Sequence, residues 1–352
     1  MPNDRYIVKM KKQRIFYLDF IRAIAVCLIV LTHFNAIYIY MWDEVALQKV
    51  VFTWKIANLY IGDFGVSLFL IISGAALMYT YEEHLDIKEF YKKRFLSIFP
   101  MFWFAYFIVF LHSFWLTKGI DQGIPKQNIL LSMIGMDGYL NGLLPTFYKI
   151  GEWFLGFIII FYIVFPILRK LIIEHPTITM VVSLILYCLI NIKYLFKINR
   201  SICLITRLPE LLFGMYFVRY IKKIDWKIAL AGIIVMVMNS VIQIPLNKDI
   251  QTTYVGIAAF VFLVYISSFL GKYNIIKRIC NILSKYSYAI FLTHHYIITQ
   301  ITSKYDLNNI SILESYILFL LCCCVIAVFS YILFVCNRHI LVGIKSILKE
   351  PV

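Results

Sequence analysis

An all-α fold that crosses the membrane about ten times is the class this sequence predicts, and three observations predict it. The 352 residues are 62% hydrophobic and only 15% charged, whereas a soluble domain is nearer half apolar and a quarter charged; mean hydropathy is +0.82. Apolar runs of about 20 residues, the length of a membrane-crossing helix, recur from end to end. The 34 Lys and Arg gather in short clusters between those runs, as juxtamembrane charge does. For that reason the net charge of +15 implies a lipid bilayer and no nucleic-acid partner.

Taken in order, the expected spans are 16–40, 56–80, 95–116, 151–169, 176–193, 202–219, 228–245, 252–271, 286–303 and 312–335. Those at 56–80 and 286–303 are the least apolar, since they hold Asp63, His294 and several Ser and Thr. Polar content of that kind suits a cavity wall better than lipid. With the N-terminus in the cytoplasm, 22 Lys and Arg fall in inner segments and 9 in outer ones. That imbalance, with an even number of spans, puts both termini inside. The basic start MPNDRYIVKMKKQRIF precedes an apolar run too long for a signal peptide, so it is expected to stay as a first anchor. The outer segment from about 117 to 150, rich in Gly, is either a cap over a site or a plain connection. No repeat or appended soluble domain interrupts the pattern, and residues 1–352 read as one membrane unit. Eight cysteines show no metal-ligand spacing and read as free thiols; no metal is expected.

The first span carries the clearest chemical signal. YLDFIRAIAVCLIVLTHF, residues 17 to 34, places Asp19, Arg22 and His33 in a segment that should face hydrocarbon. Asp19 and Arg22 are three residues apart, so they share a helical face and partly neutralise one another. Arg22 and His33 are eleven apart, about three turns, and project on nearly the same face roughly 16 Å apart along the axis. Three ionisable side chains in one span leave two readings open: a functional path, or snorkelling by Arg22 with a hydrogen-bonded core role for His33. Asp63 lies at a depth comparable to His33 and is a candidate to orient its imidazole; His294, mid-span, is a candidate second proton-handling group. His295 points to a different face and receives no role, and Arg207 and Glu210 are expected to pair structurally.

Six segments in order resemble the acyltransferase-3 membrane family. LDFIRAIAVCLIVLTHF resembles its Arg/Lys-x10-His motif, with Arg22 and His33 in the two positions. GVSLFLIISGAALM from Gly65, FYKKRFLSIFPMFW from Phe90, WFLGFIIIFYIVFPIL from Trp153, RLPELLFGM from Arg207 and SYAIFLTHH from Ser287 follow. There are departures. The basic-loop motif usually reads Arg-x-x-Arg, and here Ser97 stands in the second position after Arg94. Many members carry an acidic residue shortly after the Trp, where this chain has Ile158 and Ile159; Glu152 precedes the Trp and does not simply inherit that role.

The resemblance implies a multi-pass cell-membrane enzyme that moves an acetyl group from acetyl-CoA to a hydroxyl of a cell-surface or lipid-linked sugar, an exopolysaccharide or capsule for example. His33 would be the general base, helped by Asp63 or His294. Arg22, Lys93 and Arg94 would hold the donor's phosphates from the cytoplasmic face. The alternative from another class is a transporter or flippase of lipid-linked oligosaccharide, although the internal repeats common in such proteins are missing.

Overall fold

A computed structural model describes residues 13–120 and 123–348. Among them helix dominates, and the sole sheet is a two-stranded hairpin. Six helices are long and apolar enough to cross a membrane: α1 (Phe16–Ile39), α3 (Ile61–Tyr81), α4 (Ile87–Thr117), α7 (Glu152–Glu174), α11 (Lys248–Leu270) and α13 (Ile312–Ile347). Two more apolar helices are shorter, α8 (Pro176–Ile192) and α10 (Trp226–Val241). The expected ninth span lies in the 29-residue α12 (Asn274–Thr302), whose polar residues lower its hydropathy. The short α2 (Glu44–Leu47), α5 (Ile129–Met133) and α6 (Asp137–Leu140) lie in connections.

Local chemistry explains where these helices depart from the expected spans. The second span starts at Ile61 instead of 56, because Lys55–Ile56 and Leu59–Tyr60 pair as strands β1 and β2. Ala57 and Asn58 between them both have positive φ, 49° and 57°, the backbone of a two-residue hairpin turn. The third starts early, at Ile87, because the Asp86 side chain accepts from the Glu89 amide at 2.9 Å and caps it. It runs through Pro100, which removes one backbone donor without ending the helix. The segment expected to span at 202–219 is broken instead: α9 covers Leu208–Tyr216, and a π-helical turn follows over Phe217–Ile221. The last helix extends to Ile347 from a Ser311/Glu314 capping box. All eight cysteines are free, and the Cys322–Cys324 run goes from buried to exposed round its helix, as the sequence suggests.

α3 is the centre of the bundle, packed on α1, α9 and α11. Its contact with α9 is backbone on backbone. A Cβ on Gly74 would lie 2.0 Å from the Leu211 carbonyl oxygen, and one on Gly214 would lie 1.9 Å from that of Ile71. Glycine at both positions is what permits this approach. α1 sits between α3 and α12, and α13 packs across α12 and α4. Arg169 of α7 donates to the carbonyls of Tyr81 and Glu82 at 2.5 and 2.9 Å, satisfying acceptors that the end of α3 leaves open.

Candidate active site

The stripe on α1 is real, and its members have distinct surroundings. Asp19 is buried, held by a side-chain pair with Arg14 and by the Ser284 hydroxyl at 2.6 Å. Arg22 lies 4.0 Å from Asp19 and donates to Ser284 at 3.1 Å. Its nearest acid is thus already satisfied by Arg14, and the Arg22 guanidinium is left to line a cavity of about 310 Å³, within the range of small-molecule sites. Arg94, Ser73, Tyr162, His33 and His294 line the same cavity. The Arg94 guanidinium lies 5.5 Å from the Tyr162 ring and 5.9 Å from those of Tyr81 and Phe90, an aromatic collar that attracts a cation. Its Nε has no hydrogen-bond partner among the described residues. Ser97 donates to the Arg94 carbonyl at 2.8 Å, so this position serves the helix backbone where the family's second basic residue would stand. Lys93 lies elsewhere: it pairs with Glu89 at 3.1 Å and does not line the cavity.

A second cavity, about 1160 Å³, opens on the other side of His33. Tyr60, Asp63, Asn141, Arg200, His295 and Thr299 are among its lining residues. The segment after α4 therefore lines part of this cavity through Gly138–Leu143, as the cap reading expects. Ile29, His33, Val66, Glu152 and Trp153 line both cavities, so His33 and Glu152 occupy their common wall.

Three helices bring four ionisable groups together there. The His33 ring lies 4.7 Å, centroid to centroid, from both His294 and His295. His295 Nδ1 pairs with Glu152 Oε1, which also accepts from the Tyr148 hydroxyl at 2.8 Å. His294 is fully buried, and its Nδ1 faces the carbonyls of Ile290 and Phe291 at 3.0 and 2.9 Å. A carbonyl only accepts, so Nδ1 carries the hydrogen, and in the neutral ring Nε2 keeps its lone pair; Nε2 has no hydrogen-bond partner among the described residues. Adjacent residues on a helix point about 100° apart. That angle, the reason for giving His295 no role, is what sets His294 on the Arg22 side and His295 on the other.

Glu152 is held by unusual backbone. Gly151 has φ +99°, and Glu152 itself has φ +40°, a conformation that costs a non-glycine residue about 1–3 kcal/mol and clusters at functional sites. Gly138 seals the turn, since a Cβ there would lie 2.5 Å from the Glu152 carbonyl oxygen. Asp63, expected to orient His33, shares the second cavity but makes no hydrogen bond to His33 among the described residues; the carboxylate in the cluster is that of Glu152. Arg207 and Glu210 pair as expected, at 3.0 Å and almost fully buried, with Ser67 donating to Glu210 at 2.7 Å.

Fold and site together define a multi-pass helical membrane protein with a histidine–carboxylate cluster where two cavities meet. The sequence profile of a family described as an acyltransferase domain matches residues 15–336. The chain belongs to that family, the acyltransferase-3 family, whose class of activity is acyl transfer. No curated protein and no solved structure matches the chain.

Proposed function

We propose that this protein is a membrane O-acetyltransferase that moves the acetyl group of acetyl-CoA to a hydroxyl of a cell-surface or lipid-linked sugar, with His33 as general base. In this reading the chain crosses the cell membrane about ten times with both termini in the cytoplasm, and the Arg22 cavity opens to that side. The observation that carries the reading is the position of His33 and Glu152 in the wall between a cavity with two arginines and a larger polar one. Arg22 and Arg94 suit the phosphates of the donor, since guanidinium forks bind phosphate oxygens well; Lys93, engaged by Glu89, is left out of that role.

The chemistry follows from the two-sided geometry. A sugar hydroxyl enters from the larger cavity, the thioester from the Arg22 cavity, and they meet at His33. Neutral imidazole takes the hydroxyl proton as the oxygen attacks the thioester carbonyl. The C–S bond then breaks, and the departing thiolate takes the proton from the imidazolium. Glu152 stabilises that imidazolium by its charge while gripping His295. Positioning of this kind contributes alongside the proton transfer itself, which is worth about 10²–10⁴ in rate.

The test is the O-acetyl content of surface polysaccharide, by proton NMR, in a deletion strain complemented with wild type or His33→Ala at matched membrane levels. Restoration by wild type alone is expected. Equal restoration by both overturns His33 as base, and loss of the polysaccharide itself on deletion moves the oligosaccharide flippase ahead.

A further inference from the structure

The sequence shows no metal-ligand spacing because the relevant residues are more than 100 positions apart. In the fold, His33 of α1, Glu152 of α7 and His295 of α12 offer two imidazole nitrogens and a carboxylate oxygen that all lie within 4.8 Å of one another. Two nitrogens and one carboxylate oxygen form the donor set of open zinc sites, in which a fourth position stays free. Donor atoms on one tetrahedral zinc ion at about 2.0–2.2 Å lie roughly 3.3–3.6 Å apart, so side-chain movements of about an ångström close the set, the His295–Glu152 pair opening as the ion replaces its proton. The surroundings favour an ion as well. Tyr148 donates to Glu152 at 2.8 Å and orients it from outside, as outer partners of metal ligands do. The larger cavity, lined by all three residues, provides an entry path.

We infer that His33, Glu152 and His295 form a binding site for one divalent transition-metal ion of the zinc type, and that the ion inhibits this protein. The ion occupies the imidazole lone pair that His33 needs in order to take a proton. Binding stands independently of the acyl-transfer reading; inhibition rests on it.

Cobalt(II) titration of purified, chelator-stripped protein in detergent tests the site, because cobalt reports its own ligands. One ion per chain is expected, with visible d–d bands and without the intense near-ultraviolet band of thiolate ligands. Affinity should fall at least about tenfold in Glu152→Gln and His295→Ala, since losing even outer-shell partners costs roughly 10–100-fold. Cys322→Ser should leave it unchanged. Glu152→Gln is nearly isosteric, and both site variants are compared only after matching wild type in size-exclusion profile and melting temperature. Non-saturable binding, a thiolate band, or unchanged affinity in either site variant overturns the site. Zinc should abolish acetyl transfer and a chelator should restore it. If cobalt binds as expected and zinc leaves turnover untouched, inhibition is overturned. If cobalt binds and stripped protein transfers no acyl group, the acyl-transfer reading fails and the metal site stands.

Discussion

The Arg22 cavity and the larger cavity beyond it share five residues and little else. The first is enclosed by spanning helices, and one of its two arginines is collared by aromatic rings: Arg94 between Tyr81, Phe90 and Tyr162. The second is nearly four times larger, and part of its wall comes from connecting segments, Gly138–Leu143 and Tyr194–Ile202. A cavity built from packed helices is rigid and selective for one shape, whereas one walled by loops admits change in sequence and occupant. Under the proposed reaction, this contrast assigns the donor, a coenzyme with phosphates, to the helix-built cavity. It assigns the acceptor, a sugar, to the cavity walled partly by loops.

The common wall gives the sharpest break in that comparison after His33 itself. Glu152→Gln should lower kcat by about 10–100-fold, and His295→Ala by a similar factor. The double variant should lose little more, since groups acting as one unit are not additive. Steady-state turnover in detergent measures all three, and full additivity would mean that the pair does not act as one. Next in size, Arg22→Ala should raise the KM for acetyl-CoA about tenfold, the scale of one charge-assisted hydrogen bond, while the KM for the acceptor stays put. An acceptor effect instead would exchange the roles of the two cavities.

A smaller effect concerns stability in the loop wall. Asp137, outside the spanning helices, is only 2% exposed, and burial raises its carboxyl pKa to about 6. The folded state therefore holds the proton more tightly than the unfolded chain, whose Asp titrates near 4. Stability attached to this residue is greatest below about pH 4 and declines as pH rises through about 6. Asp137→Asn should raise the melting temperature by roughly 2 °C at pH 7.5, and the gain should fade towards pH 4; a gain independent of pH would show that charge is not its cause. Smallest of all, Asp63→Asn should change turnover less than about twofold, because Glu152 is the carboxylate of the cluster. A tenfold loss would return Asp63 to the role the sequence suggests for it.

How much of this was legible follows from where each residue sits. Arg22 and His33 lie on one helix, so periodicity alone aligns them, and both line the same cavity. His294 was visible as a polar interruption in a span. Glu152 and His295 were not, since their meaning depends on three helices packing at one point and on a positive φ that no spacing rule reports. The engagement of Lys93 was readable: Glu89 stands four residues before it, the spacing of a helical ion pair. Among the element boundaries, the Asp86 cap is readable from sequence, whereas the Ala57–Asn58 turn lacks the glycine that usually marks one.

The meeting of Gly74 and Gly214 has a mechanical consequence. Most helix pairs are separated by a layer of side chains that can change rotamer and let one helix slide on the other. Here α3 and α9 touch through their main chains where Gly74 and Gly214 cross, and at that point there is no such layer to shear. The two must travel as one rod, which acts as the stator of the machine. Whatever motion opens the two cavities is then left to the helices and loops arranged around it.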